Sequence, residues 1–124
     1  MASMYQDNMV SVWLATADID CPEDTEVLTG LCGLESYDID SNEGYASDDG
    51  KPTDIAHLIM PLSYAKSYID SVIKAAHKIG IHKAIWSVVQ YDFAYDPSRA
   101  LGKVAKEPMF LGTFSFNRGE EDSP

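Results

Sequence analysis

Pro61-Leu-Ser-Tyr-Ala-Lys-Ser-Tyr-Ile-Asp-Ser-Val-Ile-Lys-Ala-Ala-His-Lys-Ile-Gly80, followed after two residues by Lys83-Ala-Ile-Trp-Ser-Val-Val-Gln-Tyr-Asp-Phe93, decides the fold. In the first segment Ala65, Tyr68, Ile69, Val72, Ile73, Ala76 and Ile79 recur at the spacing of one helix face. Lys66, Asp70, Lys74 and Lys78 fall off that face. Ser63 is placed to cap the helix start. Lys74, His77 and Lys78 crowd its last turns, where the helix dipole favours cations, and Gly80 is placed to stop it. The second segment is rich in β-branched and aromatic residues and predicts a strand.

Working outward, Met9 to Thr16 (MVSVWLAT) predicts another strand, polar in its interior only at Ser11. So apolar a run suits a strand covered on both faces, in the sheet interior. Met109 to Phe116 predicts a third. The strands at 83–93 and 109–116 are expected to pair antiparallel across the connection containing Pro97 and Gly102. The first strand would lie beside one of them. A further helix is expected from Pro22, with Glu23, Asp24 and Glu26 in its first turn and Val27, Leu28, Leu31 and Leu34 as its stripe. Gly30 and Gly33 weaken it. Residues 36–54 read as a long acidic loop, and Ile55 to Met60 as a strand or a helical turn. The sum is an α+β fold: a small two-layer domain, with a β-sheet of three to four strands covered by two helices. The domain spans residues 9–116, between a flexible N-terminus at 1–8 and a disordered tail at 117–124.

The 124 residues suffice for one core without metal or disulfide staples. Apolar runs are too short to span a bilayer, and Met1 to Asn8 shows no secretory signal pattern. The expectation is a cytoplasmic protein, with Cys21 and Cys32 as free thiols. The net charge is −11. Residues 1–60 hold 13 Asp and Glu against one Lys, whereas residues 61–124 hold 7 against 8 Lys and Arg. Such a field repels nucleic acid and anionic membranes and steers basic partners inward.

Asp38-Ile-Asp-Ser-Asn-Glu-Gly44 begins like a calcium-binding loop, with oxygen donors at alternate positions. The match then breaks. Glu43 stands where the turn glycine belongs, Gly44 comes one place late, and the twelfth position is the short Asp49. The stretch then reads as a solvated acidic loop or as a partner-facing acidic surface, the latter built on Asp38, Asp40, Glu43, Asp48 and Asp49. A cation- or small-ligand-binding module using loop 38–54 is the alternative. Tyr91, Asp92 and Tyr95 mix rings and carboxylates at a strand end, which suits protein recognition. Trp13, Trp86, Phe110, Phe114 and Phe116 read as core. His77 and His82 are five apart, which misses the offset that places two ligands on one helical face, so no metal site is expected. No Gly-flanked serine elbow, phosphate-cradling loop or convergent acid–base set is present, so neither catalysis nor a cofactor is expected.

Four stretches in order carry a resemblance: Val10-Ser-Val-Trp-Leu14, Leu62-Ser-Tyr-Ala-Lys-Ser-Tyr-Ile69, Val89-Gln-Tyr-Asp-Phe-Ala-Tyr-Asp96 and Phe110-Leu-Gly-Thr-Phe114. Together they resemble the immunity protein 22 family, small bacterial proteins of polymorphic toxin systems. The resemblance covers about residues 9–116 and implies an immunity protein that binds and neutralises a cognate toxin without catalysis. Many toxins of such systems are nucleases, whose basic surfaces an acidic inhibitor can occupy. The stretch Asp38–Asp54 has no counterpart in the family pattern, so no binding residue is carried over.

Overall fold

The computed structural model describes residues 4–16, 39–47, 49–96, 98 and 108–117. The expected helix from Pro22, both cysteines, Asp38 and Asp48 lie outside these residues. Four strands form the main antiparallel sheet: β1 (Tyr5–Ala15), β2 (Asn42–Ala46), β5 (Trp86–Phe93) and β6 (Met109–Ser115). Their order is β2-β5-β1-β6. A two-residue ladder joins β3 (Thr53–Asp54) to β4 (Lys83–Ala84). Two helices, α1 (Ile55–Ile59) and α2 (Ile69–Lys78), complete a small α+β domain.

β1 lies between β5 and β6, and its residues Val10 to Ala15 are all buried. That is the outcome expected of a strand with almost no polar residue. The expected pairing of the last two strands does not occur, because β1 takes the place between them. Alternation along β1 divides the interior in two. Val10, Val12 and Leu14 join Val89 and Tyr91 of the sheet, and Phe116 just past β6, with Ile55, Leu58, Ile59, Tyr68, Ile69 and Val72 of the helical layer. On the opposite face Trp13 packs with Val88 and Tyr95, flanked by Trp86, Phe93 and Phe110. Of the five aromatics read as core, Trp13 and Phe116 are buried, while Trp86, Phe110 and Phe114 are partly exposed.

The segment 61–80 is less regular than its periodicity predicts. A turn and one 3-10 turn, Ala65–Ser67, precede α2. Tyr64 has a left-handed backbone, φ 60°. Ser63 caps nothing: α2 starts after Tyr68 with no side-chain cap. The helix ends as expected. Gly80 sits at φ +83°, its N–H donates to the His77 carbonyl at 3.0 Å, and the Ile81 N–H donates to the Ala76 carbonyl at 2.9 Å. This is a complete Schellman closure.

β1 begins at Tyr5, four residues before its expected start, through a large bulge. Tyr5 pairs with Phe93 and Val10 with Tyr91, so four residues of β1 stand opposite Asp92 alone. Asn8 and Asp92 both take positive φ there. Residues 36–54 are corrected too. Within them, Asn42–Ala46 is a paired strand, because small and amide side chains fit against Val88 and Gln90 of β5. Ile55–Ile59 resolves to helix.

Candidate functional site

The acidic stretch forms an edge of the described sheet. A 3-10 turn, Ile39–Ser41, leads into β2, and a turn at Asp49 and Gly50 follows it. Asp40 and Asp49 are exposed, one before the strand and one after. The Asp49 carboxylate accepts the Lys51 N–H at 2.9 Å, which fixes that turn. Asn42, Gly44 and Ala46 pair with Gln90, Val88 and Trp86, so they share one face of the sheet. The small side chains leave a shallow groove of about 390 Å³, lined by Asn42, Gly44, Tyr45, Ala46, Trp86, Ser87 and Val88. Trp86 is half-exposed beside it. Gly44 is required there: a Cβ at this position would lie 2.9 Å from the Ser87 carbonyl oxygen.

Glu43 points the other way, towards the helical layer. It is half-buried, and its Oε1 accepts the Ser63 N–H at 2.9 Å. Asn42 is also engaged, since its amide donates to the Val89 carbonyl and to Gln90 Oε1, each at 3.2 Å. Of the described donors that a curled calcium loop would gather, Asn42 and Glu43 thus lie in a paired strand, and Asp40 and Asp49 lie in the turns on either side of it. Among the described residues, no group of three or more His, Cys, Asp or Glu is arranged to hold a metal.

Tyr91 and Tyr95 are corrected from surface to interior, each only 5% exposed. Tyr91 faces the helices. Its hydroxyl lies 2.8 Å from that of Tyr68 and donates to the Ser63 carbonyl, and its ring meets Tyr64, Tyr68 and Phe116 edge-on. Tyr95 lies on the opposite side of the sheet, with its ring centroid 5.0 Å from Trp13 and 4.8 Å from Phe110. β5 ends between them, and the chain turns Tyr95 over the sheet. Asp92 is half-buried and binds within the chain: its Oδ1 accepts the Asn8 N–H at 3.0 Å, bridging the bulge of β1.

Sequence reasoning missed two organising features. One is Ser11, buried in the middle of β1. Its hydroxyl donates to the Phe93 carbonyl at 2.7 Å, accepts the Tyr95 N–H at 2.9 Å and lies 3.2 Å from Thr113 Oγ1. With its one proton committed, Thr113 is the donor in the last contact. The signal was a lone polar residue in an otherwise apolar strand. The other is the His77–His82 pair, whose ring centroids are 4.4 Å apart.

No helix among the described residues is long and apolar enough to cross a membrane. Comparisons with family models, with curated proteins and with solved structures returned no match to this chain.

Proposed function

We propose that this protein is an immunity protein that binds and neutralises a cognate toxin, without turnover, through the acidic sheet edge formed by β2 and its flanking turns. The observation that carries this reading is the placement of Asp40 and Asp49. Both are exposed, and they bracket a strand whose face is open over Gly44 and Ala46 beside Trp86. A basic segment of a partner fits this surface in charge. A Lys or Arg stem suits the groove, with its cationic head near the Trp86 ring. The excess of 12 negative charges in residues 1–60 adds long-range steering and a fast encounter. A nuclease domain, with its basic phosphate-binding surface, is the proposed class of toxin. The cytoplasm, where such a toxin must be held inactive before export, is the proposed location. The resemblance of the four core stretches to immunity protein 22 supports the same reading.

The test is capture of the tagged protein from its native cells at low and high salt, followed by identification and assay of what binds. A single stoichiometric partner whose toxicity is abolished by added protein is the expected result. No specific partner in cells shown to express a toxin would overturn the proposal.

A further inference from the structure

The turn after α2, away from the acidic edge, brings two histidine rings together. His82 follows His77 by five positions, and along a continuous helix their rings would diverge. The helix stops at Lys78, however, and the Schellman closure at Gly80 folds the chain back. Both histidines are exposed, and their rings lie 4.4 Å apart, centroid to centroid, tilted by 41°.

That separation is close to that of ordinary packed rings, and it is also one that a shared metal ion allows. Two imidazole nitrogens held about 2.0–2.1 Å from one ion, at a right angle, place their ring centroids about 4.5 Å apart. Right-angle placement belongs to tetragonal ions, which imidazole suits, and water completes their coordination. Lys78 and Lys83 adjoin the pair in sequence and are exposed, so the local field does not attract cations. Affinity must then come from the nitrogen lone pairs. This selects ions high in the divalent affinity order and disfavours magnesium and calcium, which need oxygen donors. We propose that His77 and His82 form a two-imidazole site for a tetragonal divalent transition-metal ion of the copper(II)–nickel(II) class.

The proposal is tested by titrating nickel(II) chloride into the full chain by calorimetry, beside the variants His77→Ala and His82→Ala. Both residues are exposed, so each variant keeps the fold, which circular dichroism checks. One equivalent bound by the native chain, with affinity reduced at least tenfold in each variant, is expected. Magnesium should give no uptake at the same concentration. A native chain that takes up no nickel(II) at millimolar concentration overturns the site. So does a variant that binds nickel(II) as the native chain does.

Discussion

Oε1 of Glu43 accepts the backbone N–H of Ser63 at 2.9 Å, tying the edge strand to the turn that precedes α2. The tie joins residues 20 apart in sequence, and on the same turn the Ser63 carbonyl accepts the Tyr91 hydroxyl. Glu43 therefore holds the acidic edge in place. Replacing it with Ala removes a charge-assisted hydrogen bond and leaves the Ser63 N–H without that acceptor. For a half-buried carboxylate the expected loss is about 1–2 kcal/mol, with Glu43→Gln losing less because an amide oxygen still accepts. Urea unfolding checks this through a lowered midpoint at unchanged slope. A midpoint equal to that of the native chain would remove Glu43 from the architecture.

The contrast between Glu43 and Asp40 shows how far the sequence can be read. Charge and composition located the acidic stretch, but they could not tell which carboxylates face solvent. That depends on alternation, and alternation needs a strand. Residues 42–46 (Asn-Glu-Gly-Tyr-Ala) lack the apolar run that signals one, and form a strand only because β5 supplies a partner. β1 was legible because its apolar composition demands two covered faces. Tyr91 and Tyr95 were misplaced for a related reason. Their spacing of four obscures that one lies in β5 and the other beyond its end, on opposite faces of the sheet. The His77–His82 contact was missed because a helical offset rule was applied across a helix end.

Ser11 is the buried polar residue on which the end of β5 depends. Ser11→Ala would remove the hydroxyl that bridges the Phe93 carbonyl and the Tyr95 N–H. The expected destabilisation is about 1–3 kcal/mol, the cost of losing the hydrogen bonds made by a buried hydroxyl. Near-ultraviolet circular dichroism should change as well, because Tyr95 packs against Trp13 and Phe110. Unchanged stability with an unchanged aromatic spectrum would show that the Tyr95 turn holds without Ser11.

Gly80 stands at φ +83°, and among the described residues no atom beyond its chain neighbours lies within 4 Å of where a Cβ would lie. Space is therefore no obstacle to Gly80→Ala, and the penalty comes from the backbone alone. A side chain in the left-handed region costs about 1–2 kcal/mol. Thermal unfolding should show that loss. Gly80→Asn should lose less, since asparagine tolerates this conformation better than alanine. Equal losses for the two variants would argue that the helix end relaxes instead of holding its Schellman closure.

Changing Asp38, Asp40, Asp48 and Asp49 together to Asn separates steering from architecture. The amide at 49 can still accept the Lys51 N–H, so the turn survives. Asp40 and Asp49 are exposed, and substitutions at such positions usually change stability by less than about 0.5 kcal/mol. Association with the proposed basic partner should behave differently. Loss of these four charges should slow association by roughly tenfold at low salt and flatten its dependence on ionic strength. Dissociation should change less, because exposed charges such as those of Asp40 and Asp49 act mainly on encounter. Stopped-flow mixing at several salt concentrations reads both rates. An association rate unchanged at low salt, in a variant that unfolds at the native midpoint, would place the interface elsewhere and leave the acidic edge as solvated surface.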